Sequence, residues 1–177
     1  MTDKNYALGA GAVYMTLGDT MPTTDAEIET EANKISNTSG GATLSYSFDT
    51  YEVEDDNFET LDIVKQKEKV TFKANLLTWN PEQLAMFTAN STATEKDGII
   101  TLNIGSKSKS LQHIVMRFVN ELSDGTVLRA TLRGVSTGGF ELAFAKDKET
   151  IIPVEITALA DSNGVKSVLT FTPKTPK

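Results

Sequence analysis

Most of this chain alternates between hydrophobic and polar residues with a period of two, which is the pattern of half-buried β-strands. The clearest stretch is 111–145, whose first two alternating runs are joined by Ser123-Asp124-Gly125. An Asp-Gly pair between such runs is a strong hairpin signal. A glycine-rich turn then leads into a third run that carries Phe140, Leu142 and Phe144. We therefore predict a meander of antiparallel strands with one apolar face.

Similar alternation continues on both sides of this meander. The run 43–49 is predicted to pair antiparallel with 65–78. Asn163-Gly164 predicts a further hairpin near the C terminus, and Pro153 places its strand at a sheet edge or at the start of a strand. The remaining predicted strands are 99–104, which follows an Asp97-Gly98 turn, 151–156 and 165–171.

One segment departs from alternation and carries the signals of a helix start. Asn80 can cap a helix, Pro81 suits its first position, and Gln83 can complete a capping box. Leu84 and Phe87 lie three residues apart, so they share a helical face that can pack on a sheet. The predicted fold class is mostly β: an antiparallel β-sandwich or half-barrel with one short α-helix.

An acidic segment, 23–35, has two interpretations. Its carboxylates occupy alternate positions, so they would form one face of a strand; they are Asp25, Glu27, Glu29 and Glu31. The same segment also fits a helical turn capped by Thr24, with Glu27 three residues later. A calcium loop is disfavoured, because the required glycine and carbonyl order is missing. A solvated acidic face is the favoured interpretation.

A second acidic segment, 50–64, lies within a stretch that has no Lys or Arg between Lys34 and Lys65. It is too long for a tight turn and too charged for a core, so it is predicted to be an extended loop or a protruding hairpin. Its apolar residues favour docking to a partner over disorder. They are Phe58, Leu61, Ile63 and Val64.

Length and composition limit the possibilities further. The 177 residues fit a single domain, 1–177, with a frayed tail at 172–177. The absence of cysteine excludes disulfides, thiolate metal sites and a thiol nucleophile. No apolar run has the length of a membrane span, and the N terminus lacks the features of a secretory signal, so we expect synthesis and folding in the cytoplasm.

Charge is unevenly distributed along the chain. Residues 1–106 carry 17 acidic and 7 basic side chains, and residues 107–177 carry 7 and 10, so −10 and +3 give the net −7. An acidic chain repels phosphates, which disfavours sequence-specific or tight DNA binding. The asymmetry permits head-to-tail association of copies, and solvated charge without a partner is the alternative.

No catalytic, metal or cofactor-binding residue is predicted. His113, the single histidine, lies within an alternating run and is better explained as a surface or satisfied residue than as a general base. Asp55 and Asp56 are adjacent, so in a strand they would point to opposite faces. Three arginines can bind phosphate or sulfate, or pair with acidic residues of a neighbouring subunit, which we favour; they are Arg117, Arg129 and Arg133.

The order of these segments resembles that of the tail tube (major tail) proteins of long-tailed bacteriophages. The resemblance is carried by GAGAVYM near the start, strand–acidic loop–strand over 43–76, the helix NPEQLAMF, and the meander. Its most specific part is FELAFAKDKETIIPVEITAL, which is similar to the family's closing pattern. The match covers nearly the whole chain and rests on order and spacing.

The resemblance implies a structural virion protein without a cofactor. Its copies would form hexameric rings, stacked head to tail into a hollow tube through which DNA passes as a non-specific cargo, with other tail proteins at the tube ends. The protein would reside in the virion tail after assembly in the bacterial cytoplasm, with no membrane association; contractile and non-contractile tails both remain open. Four strands per subunit would join an inner barrel between subunits, and the candidates are 43–49, 66–77, 112–121 and 126–133.

The resemblance also assigns contacts between rings. An N-terminal arm, 1–20, and the loop 50–64 would reach adjacent rings. The candidate contact residues of the loop are Glu52, Glu54, Asp55, Asp56, Phe58, Glu59, Leu61 and Asp62. The candidate polar faces, which would line the lumen or meet another subunit, carry Thr43, Ser45, Ser47, Asp49, Lys69, Lys73, Arg117, Arg129 and Arg133.

These polar faces are less acidic than the family's channel. Either the basic groups pair with Asp49 or with loop carboxylates, or the strand register is shifted by one residue. The alternative function is a monomeric β-sandwich module that binds carbohydrate or another surface. It requires an exposed aromatic platform, and Trp79, beside the helix start, is expected to be buried.

Overall fold

A computed structural model of the chain describes residues 11–57, 59–89, 91–105, 107, 110–142 and 150–174. This part is mostly antiparallel β with one short α-helix, which confirms the predicted class at that level. The strands are β1 (Ala12–Leu17), β2 (Lys34–Glu54), β3 (Thr60–Leu76), β4 (Thr92–Lys96), β5 (Ile99–Asn103), β6 (Ile114–Glu121), β7 (Val127–Ser136), β8 (Ile152–Ala158) and β9 (Ser167–Thr172); the helix is α1 (Pro81–Met86).

Seven strands form one antiparallel sheet in the order β6-β1-β2-β3-β8-β7-β9. β6, the first strand in this order, also pairs with β7, the last but one. The β6–β7 turn lies at Ser123-Asp124-Gly125, as predicted, with Gly125 at a φ of 83°. The other two strands, β4 and β5, form a separate two-stranded sheet around the predicted Asp97-Gly98 turn.

One hydrophobic cluster forms the core between these strands and α1. Phe72 of β3 and Phe118 of β6 lie at its centre, with ring centroids 6.0 Å apart. The capping box of α1 is present, because the Asn80 side chain accepts from the Gln83 N–H and the Gln83 side chain accepts from the Asn80 N–H. Leu84 is buried, and so is the residue after α1, Phe87. The helix prediction is therefore confirmed.

Two of the predicted strand pairings are wrong. Phe140 and Leu142 do not lie in a strand; they pack against the core as partly buried side chains, and Phe144 lies outside the described residues. The Asn163-Gly164 turn exists, but β8 and β9 do not pair with each other across it. Both pair with β7, β8 at residues 134–136 and β9 at residues 127–132, so they follow one another along the same strand.

The N-terminal arm needs a correction as well. Residues 12–17 form β1, which lies between β2 and β6 and buries Val13 and Met15 in the core. A small residue does lie at a close contact there, because a Cβ at Gly11 would be 2.3 Å from the Phe118 ring. The described part of 1–20 is therefore part of the body and not an arm, because its alternation places two apolar side chains inside. Residues 1–10 lie outside the described residues.

Candidate functional site

The longest feature of the fold is a hairpin that leaves the body. β2 and β3 pair from Thr38↔Leu76 to Glu54↔Thr60. β1 covers β2 only at 34–37, and β8 covers β3 only at 71–76. Among the described residues, the part between 44 and 70, here called the projecting hairpin, thus has no strand neighbour outside itself. At about 3.3 Å per residue, β3 extends some 33 Å from residue 70 to residue 60.

This geometry corrects the loop predicted at 50–64. Strand pairing continues to Glu54 and resumes at Thr60, and the intervening turn is short. The pattern is obscured in the sequence because a β-bulge between Asp49 and Thr50 shifts the register against β3. The protruding hairpin, which was the other interpretation, is the correct one.

Large apolar side chains on the projecting hairpin are exposed to solvent. Tyr46 is 57%, Phe48 53% and Leu61 66% exposed, although all three lie within regular strands. Both faces carry such residues, so rotation of the hairpin cannot hide them. The other exposed members of the set are Tyr51, Ile63 and Val64.

The predicted contact residues lie at the far end of this hairpin. Asp55 shapes the turn, because its carboxylate accepts from the backbone N–H of Asn57 at 2.8 Å and of Glu59 at 2.9 Å. These two hydrogen bonds, led by the one from Glu59, hold the pKa of the Asp55 carboxyl below its ordinary value. None of the acidic residues of this end forms an ion pair within the described chain. They are Glu52, Glu54, Asp55, Asp56, Glu59 and Asp62; Leu61 lies among them, and Phe58 lies outside the described residues.

The base of the hairpin carries the predicted polar face. Thr43, Ser45, Ser47 and Asp49 stand directly opposite Lys73, Thr71, Lys69 and Lys67, and directly opposed residues share a face. Lys73 forms an ion pair with Glu155 of β8 at 2.9 Å. Lys67 and Lys69 are exposed and form no ion pair within the described residues. The predicted face therefore exists on β2 and β3.

The three arginines belong elsewhere. Arg117 is 6% exposed, and its guanidinium contacts Asp25 at 2.6 Å, Glu29 at 3.0 Å and the hydroxyl of Thr131 at 2.9 Å. Arg129 contacts Glu29 at 2.7 Å. This hydrogen bond is the main reason why the pKa of Arg129 is raised.

Arg133 completes the set with contacts to Asp19 at 3.3 Å and to the carbonyl of Ala160 at 2.7 Å. All three arginines thus pair with carboxylates of the same chain. Acidic residues of the same subunit thus take the place of the neighbour's that we favoured, and the role of Arg117, Arg129 and Arg133 at a lumen or another subunit stays a prediction. The sequence did not reveal these pairs, since the partners lie 88 to 114 residues away.

These carboxylates come from residues 18–33, here called the acidic strap, which crosses the outer side of β6 and β7. It contains a 3-10 turn at Asp25–Glu27, so the helical-turn interpretation is closer than the strand. The Thr24 side chain makes no cap hydrogen bond to the backbone, whereas the Glu27 carboxylate accepts from the Thr23 N–H at 2.9 Å. Ile28 anchors the strap, because it is almost completely buried.

His113 forms a hydrogen bond to Asp19 at the edge of the strap. This bond is the largest cause that lowers the pKa of the Asp19 carboxyl, and Arg133 contributes to the same direction. Both side chains of the pair are exposed. The described contacts of His113 include no nucleophile. Asp19 Oδ1 contacts both His113 and Arg133, so these contacts connect the strap to the start of β6 and to β7.

Two clefts lie where the projecting hairpin meets the body. One of about 420 Å³ lies between the hairpin and the C-terminal strand β9, with Leu44, Tyr46, Val70, Val165 and Leu169 in its lining. Another of about 680 Å³ is lined by the Gly40-Gly41 segment of β2 and by polar groups that include Lys73 and Glu155. Neither cleft brings together a set of residues suited to acid–base or nucleophilic catalysis.

Other chemistry finds no support in the described part of the chain. It contains no group of three or more His, Asp or Glu side chains placed to hold a metal ion. Its helix is far shorter than a membrane-spanning one and no longer apolar helix occurs there. A scan of protein-family models and a search of curated proteins find no match to the chain.

Proposed function

We propose that this protein is a structural subunit that assembles with copies of itself into a tail tube of a long-tailed bacteriophage. The observation that carries this proposal is the projecting hairpin, whose large apolar side chains are exposed in regular strands. A chain that orders so many residues outside its core needs another surface to cover them. A second copy supplies such a surface without any further partner.

Unpaired strand edges support self-assembly as well. Beyond the body, β2 and β3 each have one free edge, and β9 has β7 as its only strand neighbour among the described residues. Exposed edges of this length favour pairing with another chain. Closing them between copies would join β2 and β3 of neighbouring copies in a continuous inner barrel. The other two strands predicted for this barrel, β6 and β7, already have strand partners along both edges within the subunit.

Hexameric rings stacked head to tail, a lumen that passes DNA as a transient cargo, and other tail proteins at the tube ends complete the proposal. The chain would act without a cofactor, in the virion tail, after assembly in the host cytoplasm. Because the strap neutralises the arginines, the polar face open to a channel or to a neighbour is formed by Thr43, Ser45, Ser47, Asp49, Lys69 and Lys73. The same architecture serves contractile and non-contractile tails.

Negative-stain electron microscopy of the purified protein over a range of concentrations tests the proposal. We expect rings and tubes at high concentration. Deletion of residues 52–62 should leave a folded subunit that no longer forms tubes, since the body keeps its core. A protein that stays monomeric at all concentrations would contradict the proposal, and tubes formed by the deletion variant would show that the hairpin end is not the contact.

The alternative, a monomeric module that binds a glycan, gains two observations. Tyr46 and Phe48 are exposed neighbours with ring centroids 5.9 Å apart, and Trp79, expected to be buried, is 36% exposed. The two rings are inclined by 48°, so they do not form the flat platform on which a sugar ring stacks. Glycan-array binding by a monomeric protein, lost in the variant Tyr46→Ala, would favour this alternative over the tube.

A further inference from the structure

The projecting hairpin carries two regions of opposite charge at two places along its length. Its far end, residues 52–62, holds six carboxylates and no basic side chain; they are Glu52, Glu54, Asp55, Asp56, Glu59 and Asp62. Nearer the body, Lys67 and Lys69 project from β3 on the polar face, with Lys73 beyond them. These are called the acidic tip and the lysine face.

The counter-charges that the described residues offer these two regions are few: Asp49 lies directly opposite Lys67 without forming an ion pair with it, and Lys73 binds Glu155. Ion pairs of the described chain use Lys65, Lys73 and the strap residues, whereas the tip carboxylates, Lys67 and Lys69 form none. Like charges crowded on neighbouring strand positions repel each other, so the isolated hairpin is electrostatically unfavourable at its tip. The tip folds despite this repulsion, since backbone N–H groups bind Asp55.

We propose that the acidic tip of one copy docks on the lysine face of the next copy. The inference rests on the proposed self-assembly and assigns the surface that receives the hairpin. Because tip and receiving face lie on one hairpin, a copy that is displaced along the hairpin axis and offset sideways by roughly 10 Å, the spacing of packed sheets, brings them together. From Ser47, opposite Lys69, to Asp55 is eight residues, or about 26 Å, which sets the scale of the displacement.

Such a contact joins two different surfaces, so every pair of docked copies still has one free acidic tip and one free lysine face. A heterologous contact of this kind propagates along an axis and does not stop at a dimer. It therefore provides stacking, while contacts within a ring have to come from other surfaces. Leu61, which is exposed at the tip, adds apolar burial to the charge contact.

Charge reversal on the two regions tests this assignment. The stem variant carries Lys67→Glu and Lys69→Glu. The tip variant carries Glu52→Lys, Glu54→Lys, Asp56→Lys, Glu59→Lys and Asp62→Lys, so its tip changes from −6 to +4. Asp55 is left unchanged because it holds the turn. Each variant alone presents like charges to its own copies, so we expect its apparent association constant in sedimentation velocity to fall about 100-fold or more.

Mixing the two variants gives the decisive result. The tip of the stem variant complements the lysine face of the tip variant, and the reversed regions complement each other as well. An equimolar mixture should therefore associate as strongly as the wild type, in alternating order. The control variant, Lys96→Glu with Lys107→Glu, has the same change in net charge as the stem variant and should assemble like the wild type. Unchanged urea midpoints establish that each variant folds.

The outcomes separate this inference from the proposed function. Assembly of both single-region variants as strong as that of the wild type, or a mixture that fails to associate, would overturn the docking assignment and leave self-assembly intact. A wild-type protein that remains monomeric at every concentration overturns both. Restoration in the mixture, together with loss in each variant alone and weaker wild-type association at about 500 mM salt than at about 50 mM, supports the assignment.

Discussion

Strands β2 and β3 run through both the body and the projecting hairpin, yet their apolar side chains are buried in the body and exposed in the hairpin. In the body, the apolar face of β3 is completely covered; Phe72 is 1% exposed. Further along, the same alternation leaves Phe48 of β2 more than half exposed. The two regions differ in their neighbours, since β1 and β8 flank the body part of these strands, whereas no strand of the described residues flanks the hairpin.

This difference shows that alternation fixes which side chains share a face but not whether the face is buried. The body uses its apolar face for its own stability, and the hairpin keeps an equivalent face available. Substitutions of one type in the two regions should therefore act on different properties: folding in the body and association in the hairpin.

The largest effect is expected for Phe72→Ala in the body. It removes a buried ring beside Phe118, so the free energy of unfolding should fall by about 3–5 kcal/mol. The matched substitution Phe48→Ala should change it by less than about 0.5 kcal/mol but weaken association. Urea denaturation of dilute protein and sedimentation velocity measure the two properties. Equal losses of stability would remove the distinction between the regions.

A smaller effect is expected for Glu29→Gln in the acidic strap. Glu29 binds both Arg117 and Arg129, so the variant leaves a nearly buried guanidinium partly unpaired, and the expected loss is about 2 kcal/mol because Glu29 itself retains some exposure. Glu31→Gln is the control, since Glu31 is exposed and forms no ion pair in the described chain. Similar urea midpoints for the two variants would show that the strap adds little to the body.

The next largest effect on stability is expected from loss of the N-terminal cap of α1. Asn80→Ala removes the side-chain acceptor for the Gln83 N–H, and loss of such a cap costs about 1 kcal/mol. Glu82→Ala, in the same first turn but outside the capping box, serves as the comparison. Thermal unfolding of both variants gives the difference, and an Asn80→Ala midpoint equal to that of the wild type would contradict the cap's role.

The smallest effect on global stability, and the most local one, is expected from acid at the tip. The pKa of Asp55 is lowered in the folded chain, so its contribution is present above the ordinary value near 3.8 and is lost as the pH falls through the lowered value. Amide hydrogen exchange at Asn57 and Glu59 should therefore accelerate relative to core amides below about pH 4. In Asp55→Asn, this relative acceleration should be absent; its persistence would assign it to other groups.

Much of the body was predictable because its signals are local. The Asn80 capping box, the Asp97-Gly98 turn and the alternation of β6 and β7 each depend on residues within a few positions of one another. The arginine pairs were not, because Arg117 and Glu29 meet only through the complete sheet. A bulge at Asp49 likewise concealed the strands in the acidic segment, where charge alone suggested a loop.

The candidate site was predictable in position but not in arrangement. The absence of basic residues between Lys34 and Lys65 marked the acidic tip, and alternation placed Lys69 and Lys73 on a polar face, whereas Lys67 was not predicted there. Arg117 has its ion pairs because the strap lies beside it, whereas Lys67 and Lys69 form no ion pair within the described residues. The apolar residue Ile28 among the carboxylates is the sequence signal that could have indicated a strap packed on the body, where Ile28 is buried.

The placement of β1 has a consequence for the order of folding. β1 pairs with β6 across more than a hundred positions of the chain, at Ala12↔Val119, whereas β2 and β3 form a local hairpin. Distant pairings form slowly, so during synthesis the hairpin is complete while the body still waits for β6. We therefore expect nascent chains to form the projecting hairpin, with its exposed apolar side chains, before the body. A high rate of synthesis should then increase premature aggregation.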